Sequence, residues 1–389
     1  MKQYKKIIFF SSSRADLGIL KKIVERIKIK NLSIFFIICG EYKSYETRKV
    51  IIEKKKNFKI KFINLKKKSK DKDILTKNFN YVFSSISNLF DIISPDLLLL
   101  LGDRYETLSA ACSAKLKGIP IAHFHGGEIT ENSYDNLFRH SITKLSHLHF
   151  TSHNVYKKRV IQMGEVPQNV FNVGAPGLLN INENLYSKPN IEEKLNVIIK
   201  KNFFIITLHP ETIKLVEFKK NLEIFFDAIQ TSVDSETTFL FTEPGKDMFA
   251  SKIEKKIISF CRKNKNVYYK KNLGNRLYHS CLNIAKGVIG NSSSGLIEAP
   301  NFNTITLNIG DRQKGRLIQE SVINLNYNQK RISNKINSLK KNLFIKKNFK
   351  NIFYNKNCIN IINKVLKKFL NNLHNSKIKK FYDIEFDIK

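Results

Sequence analysis

Short apolar runs alternate with longer amphipathic stretches along most of the chain. In the first half the apolar runs lie at residues 6–12, 33–39, 97–101, 119–124 and 148–151, and the clearest amphipathic stretch lies at 74–93. Apolar runs of roughly four to eight residues are typical of strands buried on both faces, and intervening helices are typical of a parallel sheet. The pattern therefore predicts a parallel α/β sheet, with a first helix that begins near Leu20 and a surface strand at 58–63.

The same alternation returns after a break at residues 177–194, which are predicted to form a loop or linker. Further strands are predicted at 203–208, 238–242, 267–269, 287–289 and 304–307. We therefore predict an α/β protein of two Rossmann-like, doubly wound domains, at 1–182 and 195–365. Apolar spacing in residues 359–369 predicts a terminal helix that docks on one half, and residues 366–389 are assigned to a C-terminal helix or tail.

Length and composition are those of an ordinary globular protein. The 389 residues are enough for two domains of usual size. No apolar run approaches the roughly 18 residues that span a bilayer, and residues 1–10 are too short for a secretory signal, so no membrane association is expected. The five cysteines are scattered and form no CxxC pair, so we expect no metal site, no disulfide framework and a cytoplasmic location.

The chain is strongly basic, with a formal net charge of +35. Such a charge is typical of nucleic-acid-binding proteins. The lysines, however, occur in runs without interleaved aromatic residues, and the chain is rich in Lys, Asn, Ile and Phe and has no Trp. AT-rich codons produce this bias on any fold. We therefore expect no nucleic-acid partner, and we expect the positive field to attract a small anionic substrate.

Titratable residues are concentrated after two predicted strands of the first half. Asp103 and Arg104 follow one strand, His125 and Glu128 follow the next, and Asp135 lies shortly beyond. Ligand-binding residues collect at the carboxyl ends of parallel strands, and carboxylates packed near one another can serve as acid or base. The cluster predicts an active site, although each carboxylate alone is also compatible with a helix cap or a surface charge.

Small-residue loops with basic neighbours predict binding of an anion. Residues 11–14 (Ser-Ser-Ser-Arg) follow the first strand, where Arg14 can bind phosphate through two nitrogens. A second loop, between a predicted strand and a helix, contains Ser292, Ser293 and Gly295, so that free backbone N–H groups would face an anion. An N-cap series with nothing bound is the alternative.

Two further side chains belong to the candidate site. Glu298, one helical turn beyond the second loop, can accept hydrogen bonds from ribose hydroxyls. His209 ends the first strand of the second half, where it serves catalysis, phosphate binding or packing. A third loop, at 310–312, is a weaker phosphate candidate. The HExxH, GxSxG, Walker A and GxGxxG patterns do not occur, which counts against zinc-protease, α/β-hydrolase, P-loop and dinucleotide-dependent chemistry.

Several motifs recur in a family-specific order. They are GDRYE at 102–106, HFHGGEIT at 123–130, RHSITKLSHLHF at 139–150, VGAPG at 173–177 and NSSSGLIEAP at 291–300. Together with Asp135 they resemble the hydrolysing UDP-N-acetylglucosamine 2-epimerases, which include the enzymes that begin sialic and legionaminic acid synthesis. The resemblance covers residues 6–316.

This resemblance implies a fold and a reaction. The family has two Rossmann-like domains that face a cleft, the arrangement called GT-B. Its enzymes remove the C2 proton of the sugar, release the nucleoside diphosphate from C1 to leave a glycal, and add water with the opposite configuration at C2. They use no metal or redox cofactor. A nucleotide-sugar substrate and a homodimer are therefore expected.

Taken with the residue patterns, the resemblance implies a set of site residues. The expected catalytic residues are Asp103, His125, Glu128, Asp135 and His209. The expected substrate-binding residues are Arg14, Arg104, Ser292, Ser293, Gly295 and Glu298. By position, the serines and Arg14 match contacts to the diphosphate, and Glu298 matches the contact to ribose.

His125 departs from the family pattern, because several relatives carry a carboxylate at its position. Imidazole also serves as a base near neutral pH, and a histidine here is associated with the diacetylbacillosamine-type branch. The resemblance therefore implies either UDP-N-acetylglucosamine or a 2,4-diacetamido-trideoxy sugar nucleotide as the substrate, and it leaves UDP and GDP open as the carrier. A GT-B glycosyltransferase is the alternative function, since a fold alone does not determine an activity.

Overall fold

The computed structural model describes residues 4–40, 58–65, 73–131, 133–211, 215–245, 249–341, 348–373 and 378–385, apart from the side chains of Arg14, Ala15 and Leu215. The chain divides into two compact units. Unit 1 contains Met1–Glu128, Asp135–Leu179 and Phe353–Lys389, and unit 2 contains Ile129–Tyr134 and Asn180–Ile352.

Unit 1 is built on a parallel sheet. Its described strands are β1 (Lys5–Ser11), β2 (Leu32–Gly40), β3 (Phe58–Asn64), β4 (Leu97–Leu101), β5 (Ile121–Phe124), β6 (Leu148–Thr151) and β7 (Val170–Asn172). Its described helices are α1 (Arg14–Arg26), α2 (Ile74–Ile93), α3 (Tyr105–Leu116), α4 (Asp135–Leu145), α5 (Asn154–Gln162) and α12 (Cys358–Asn371). The strand order is β3-β2-β1-β4-β5-β6-β7.

Helices cover both faces of this sheet because successive side chains of a strand point to opposite sides. Ile7 and Phe9 of β1 belong to one buried apolar cluster, and Ile8 and Phe10 belong to another. All four side chains are fully buried. This explains why β1 is a continuous apolar run rather than an alternating one.

Unit 2 repeats the same plan on a second parallel sheet. Its described strands are β8 (Asn202–Thr207), β9 (Thr237–Thr242), β10 (Val267–Lys270), β11 (Gly287–Gly290), β12 (Ile305–Ile309) and β13 (Val322–Leu325). Its described helices are α6 (Lys188–Leu195), α7 (Leu215–Thr231), α8 (Ala250–Lys263), α9 (Gly274–Ile284), α10 (Ser293–Ile297) and α11 (Gln329–Lys340). The strand order is β10-β9-β8-β11-β12-β13.

The strand order reverses direction once in each sheet, between β1 and β4 in unit 1 and between β8 and β11 in unit 2. At such a switch point the loops that follow the two strands diverge to opposite faces and leave a crevice, where ligands bind in open α/β sheets. Some of the predicted site residues follow these strands, namely Arg14, Asp103 and Arg104 in unit 1 and His209, Ser292 and Ser293 in unit 2. His125 and Glu128 follow the neighbouring strand β5.

The predicted fold class of two parallel α/β domains is confirmed, and α2, β4 and β6 have the predicted bounds. Helix α1 begins at Arg14 rather than near Leu20, because the Ser13 hydroxyl caps it by accepting the Asp16 N–H at 3.1 Å. Helix α6 overlaps the predicted linker at 177–194 and ends one residue beyond it. Its eight residues form little more than two turns, too few for a clear apolar period.

The boundaries of the units differ from the predicted domains. The predicted boundary at 365/366, between the second domain and a tail, cuts through helix α12. In the structure the whole helix belongs to unit 1. Its side chains Ile362, Leu366 and Phe369 lie in the same apolar cluster as the helix α1 residue Leu20. Beyond the helix, Lys379 donates to the Ser146 carbonyl at 2.6 Å. The helical period was predicted correctly, but the unit that the helix joins is set by tertiary packing.

Among the described residues, no helix is both long enough and apolar enough to span a bilayer.

Candidate active site

The candidate site of unit 1 lies at the carboxyl ends of β4 and β5, which pair in parallel with Leu101 opposite Phe124. The loop after β5 turns sharply, because His125 has φ of 65° and Gly127 has φ of 79°. A Cβ at Gly127 would lie 2.5 Å from the Tyr156 carbonyl oxygen, so only glycine allows the loop to pack this closely.

Arg139 connects the two strand ends. Its side chain is 1% exposed, and its Nη2 forms an ion pair with Asp103 while its Nη1 donates to the Glu128 carbonyl at 2.8 Å. Burial alone would lower the pKa of Arg139, but the Asp103 and Glu128 carboxylates outweigh burial and raise it. The guanidinium is therefore a fixed positive charge within the cluster. Its role was not predicted, although it lies within the RHSITK motif.

The two acidic residues assigned by resemblance are both placed near this arginine. Asp103 follows β4 and keeps 23% of its side chain exposed. Asp135 lies in the first turn of α4, one turn before Arg139, so the two residues share a face of the helix. Negative charge is favoured at a helix N-terminus. The structure thus brings Asp103 and Asp135 to one arginine, and their catalytic roles stay a prediction.

His125 and Glu128 form a close pair. Nδ1 of His125 lies 2.6 Å from Oε1 of Glu128, and the Ser152 hydroxyl donates to the same oxygen at 2.7 Å. Glu128 is 2% exposed and Ser152 is 1% exposed, whereas 14% of the His125 side chain is accessible. Ser152 was not predicted, since an isolated serine after a strand has no distinctive sequence signal.

Arg104 and His123 have local partners. Arg104 donates from Nε and Nη2 to the two carboxylate oxygens of Glu106, at 3.1 and 3.3 Å. This pair orients Arg104, and its predicted contact with substrate stays a prediction. His123 is fully buried between the Gly102 carbonyl and the Thr143 hydroxyl, and burial lowers its pKa to about 3. It is a neutral packing residue rather than an acid or base.

The first predicted phosphate loop uses its hydroxyl groups locally. Ser11 donates to the Ser13 carbonyl at 2.9 Å, and Ser12 donates to the Asp16 carboxylate at 2.8 Å. This agrees with the N-cap alternative. Burial raises the pKa of Asp16 to about 6, so this carboxyl group, which was not predicted, titrates near neutral pH. The side chain of Arg14 lies outside the described residues, and its phosphate contact stays a prediction.

In unit 2, the ends of β8 and β11 are tied together by Asn291. Its side-chain oxygen accepts the His209 N–H at 2.7 Å, and its side-chain nitrogen donates to the His209 carbonyl at 2.9 Å. Nδ1 of His209 lies 2.8 Å from the Pro244 carbonyl. Because a carbonyl only accepts, the proton of the neutral ring is on Nδ1 and the lone pair is on Nε2. His209 is therefore held in one tautomer.

The second predicted phosphate loop follows directly. Ser292 is the N-cap of α10 and accepts the Ser294 N–H at 3.4 Å. The Gly295 carbonyl accepts the Thr306 hydroxyl at 2.7 Å, and a Cβ on Gly295 would lie 2.7 Å from Thr306 Cγ2. The glycine therefore permits close packing of α10 on β12. The substrate contacts of Ser292, Ser293 and Gly295 stay predictions.

Two neighbouring groups support this loop. Arg312 donates to the Asn291 carbonyl at 3.2 Å, so the third predicted loop brings a positive charge next to the second. Glu298 accepts a hydrogen bond from His279 Nε2 at 2.9 Å and keeps 26% of its side chain exposed. His279, which was not predicted, orients the carboxylate assigned to ribose.

Within the described residues, no group of three or more His, Cys, Asp or Glu side chains is arranged to hold a metal ion.

Comparisons with known proteins agree on one family. A family model described as UDP-N-acetylglucosamine 2-epimerase matches residues 25–367. The chain is 38% identical over 328 residues to the GDP/UDP-N,N'-diacetylbacillosamine 2-epimerase (hydrolysing) of Campylobacter jejuni, which covers 83% of this chain and 85% of the relative. It is 33% identical over 386 residues to polysialic acid biosynthesis protein P7 of Escherichia coli, which covers 98% of both chains.

Solved structures show the same fold. The chain is similar to the UDP-GlcNAc 2-epimerase of Neisseria meningitidis bound to UDP-GlcNAc, with a TM-score of 0.73 and 16% identity. That similarity covers 94% of this chain and 100% of the other.

Proposed function

The chain belongs to the UDP-N-acetylglucosamine 2-epimerase family, and on that premise we propose that it is a hydrolysing 2-epimerase. Its substrate would be UDP-N-acetylglucosamine or a closely related diacetamido sugar nucleotide. Its products would be the free 2-epimer, of the N-acetylmannosamine type, and UDP.

The observation that supports this proposal best is the cluster joined by Arg139. It gathers Asp103, Glu128 and Asp135, with His125 beside them, at one edge of the unit 1 sheet. Removal of a C2 proton and its return on the opposite face need two proton-transfer groups in different positions. The cluster supplies such groups, and Arg139 places a fixed positive charge beside Asp103.

In unit 2 we assign the nucleoside diphosphate to the loop after β11. Ser292 and Ser293 lie at the start of α10, and the Arg312 guanidinium binds the neighbouring Asn291 carbonyl. N–H dipoles and a cation stabilise a departing diphosphate. Arg14 is assigned to a further phosphate contact and Arg104 to substrate binding. Glu298 is assigned to the ribose, and His209, held in one tautomer, to the leaving group.

One observation favours a diacetamido sugar over UDP-N-acetylglucosamine. The Campylobacter relative, at 38% identity, is named for a GDP- or UDP-linked diacetylbacillosamine. The histidine at position 125, which the sequence resemblance associates with that branch, is in line with it. The carrier nucleotide is therefore left to experiment.

We also propose that the product feeds synthesis of a sialic- or legionaminic-type nonulosonate, in line with the name of the Escherichia coli relative. A cytoplasmic homodimer remains our expectation. All five cysteines are free thiols in the structure, which is compatible with a reducing compartment. Light scattering of the purified chain would test the dimer.

The decisive experiment incubates the purified full chain with each sugar nucleotide and no acceptor. We expect UDP and a free 2-epimer to appear together, with one deuterium at C2 when the reaction runs in D2O. NMR of the released sugar would identify it, and the GDP-linked forms would test the carrier. A product that formed only after addition of an acceptor sugar would favour a glycosyltransferase and overturn the proposal.

A further inference from the structure

His125 has an unusual backbone conformation. The residue follows β5 with φ of 65°, a conformation that few residues other than glycine adopt, although histidine is among those enriched there. Its N–H donates to the Phe150 carbonyl at 3.0 Å, which holds the strained turn in place. A side chain that only filled space would not need this conformation, whereas strained residues cluster at functional sites.

The two ring nitrogens of His125 have different surroundings. Nδ1 contacts Oε1 of Glu128 at 2.6 Å. Among the described residues, Nε2 has no hydrogen-bond partner, and the side chain is 14% exposed. A carboxylate only accepts hydrogen bonds, so the neutral ring carries its proton on Nδ1 and its lone pair on Nε2. The accessible nitrogen is thus the basic one.

Two further hydrogen bonds hold Glu128 in place. Ser152, at the end of β6, donates to its Oε1 at 2.7 Å, and the buried Arg139 donates to its backbone carbonyl at 2.8 Å. Because Glu128 is 2% exposed, it is placed to act through His125 rather than on a sugar. Its position matches that of an acid residue that orients a catalytic histidine.

We propose that Glu128 and Ser152 are positioning residues that fix the tautomer of His125, and that Nε2 of His125 exchanges the C2 proton of the sugar. This inference rests on the proposed function. It changes the predicted role of Glu128, which was grouped with the residues that act on the substrate directly.

The proposed step balances as an elimination followed by hydration. Nε2 takes the C2 proton, the C2–H electron pair forms the C1=C2 bond, and the C1–O bond breaks with its electrons on UDP. Water then adds its hydroxide to C1, while a different acid gives a proton to the opposite face of C2. That acid recovers a proton from the water, and the imidazolium of His125 releases its proton to solvent.

The test compares pH–rate profiles of Glu128→Gln and Ser152→Ala with the unmodified chain. The amide of Glu128→Gln carries no charge beside Nδ1 of His125, so the acidic limb of kcat/KM should move to lower pH. For Glu128→Gln we expect kcat to fall about 10²- to 10⁴-fold and the affinity for UDP to stay unchanged. Without the Ser152 hydroxyl the carboxylate becomes a stronger acceptor, so the limb moves to higher pH and kcat falls less than about tenfold.

Matched controls lie nearby in the sequence. Glu131→Gln changes an exposed carboxylate that pairs with Lys314, and Ser141→Ala changes an exposed hydroxyl that donates to the Leu137 carbonyl. Neither should move the limb. Should both Glu128→Gln and Ser152→Ala lose activity with an unshifted limb, their roles are structural and the inference fails.

A second measurement is independent of activity. Nitrogen NMR of the chain with ¹⁵N-labelled histidine reports the tautomer of each ring, and the signals absent from His125→Gln identify His125. We expect the Nδ1–H form, and the Nε2–H form would overturn the inference even if the chain is an active epimerase. If the unmodified chain released no free sugar, the proposed function would fail instead, so the two failures are distinguishable.

Discussion

Arg139 places a full charge where water has almost no access, since its side chain is 1% exposed. Desolvating such a charge costs several kcal/mol unless an ion pair and hydrogen bonds compensate for it. Asp103 and the Glu128 carbonyl provide that compensation. The pair gains little stability over an apolar pair of similar volume. We therefore infer that Arg139 serves to hold Asp103 in position.

The substitution Asp103→Asn tests this view at the residue scale. We expect turnover to fall by about 10²-fold or more, because a neutral amide can neither exchange a proton nor balance Arg139. UDP affinity should stay within about twofold, since we assign Asp103 to the sugar and not to the nucleotide. Product NMR and calorimetric titration with UDP measure the two quantities.

The control for this variant is Asp91→Asn, which changes an exposed partner of Lys117 on helix α2. Equal losses of turnover and UDP affinity in Asp103→Asn would contradict the assignment of Asp103 to the sugar.

At the scale of elements, the parts of the site that can be predicted are those whose residues are adjacent in sequence to a recognisable strand. Apolar runs predict β4 and β5, and the polar residues directly after them predict Asp103 and His125. Ser152 and His279 could not be predicted, because their partners, Glu128 and Glu298, are distant in sequence and each pair forms only when the chain folds.

Gly290 offers a test of how an element is joined to its loop. It ends β11 with φ of 131°, and a Cβ there would lie 2.0 Å from the Thr207 carbonyl oxygen of β8. Gly290→Ala must therefore push β8 and β11 apart. We expect a loss of stability above about 4 kcal/mol, together with loss of UDP binding, measured by chemical unfolding and titration.

Gly274→Ala is a suitable control in the same unit. Gly274 also has a positive φ, 65°, but its Cβ would meet no atom within 4 Å. The alanine should cost only about 1–2 kcal/mol of backbone strain and leave UDP binding intact. Similar losses in the two variants would show that backbone conformation, rather than the approach of β8, determines the need for glycine at Gly290.

At the scale of the whole molecule, the sequence pattern predicted two α/β domains but not which segments complete each one. A helix with one apolar stripe docks on any matching face, and periodicity does not state which. In the structure, α12 belongs to unit 1, although most of unit 2 separates it along the sequence from the other helices of unit 1. The unit that α12 joins is therefore known only from the three-dimensional structure.

Phe369→Ala tests the docking of α12. Phe369 is 8% exposed within the unit 1 core, so its removal should cost about 3–5 kcal/mol. Hydrogen exchange should show faster exchange in β1 than in the unmodified chain, with β8 unaffected. Lys367→Ala, at an exposed position of the same helix, should change stability by less than about 0.5 kcal/mol. Equal loss of protection in both sheets would instead indicate that the chain unfolds as one cooperative whole.

The late position of α12 also affects how the protein is made. Chains emerge from the ribosome in sequence order, and a domain generally folds once all of it is available. The sheet of unit 1 is synthesised first, but the helix that covers part of its apolar face is residues 358–371. Unit 2 has its own strands and helices by residue 340. We therefore expect the half of the molecule that is translated first to finish folding last.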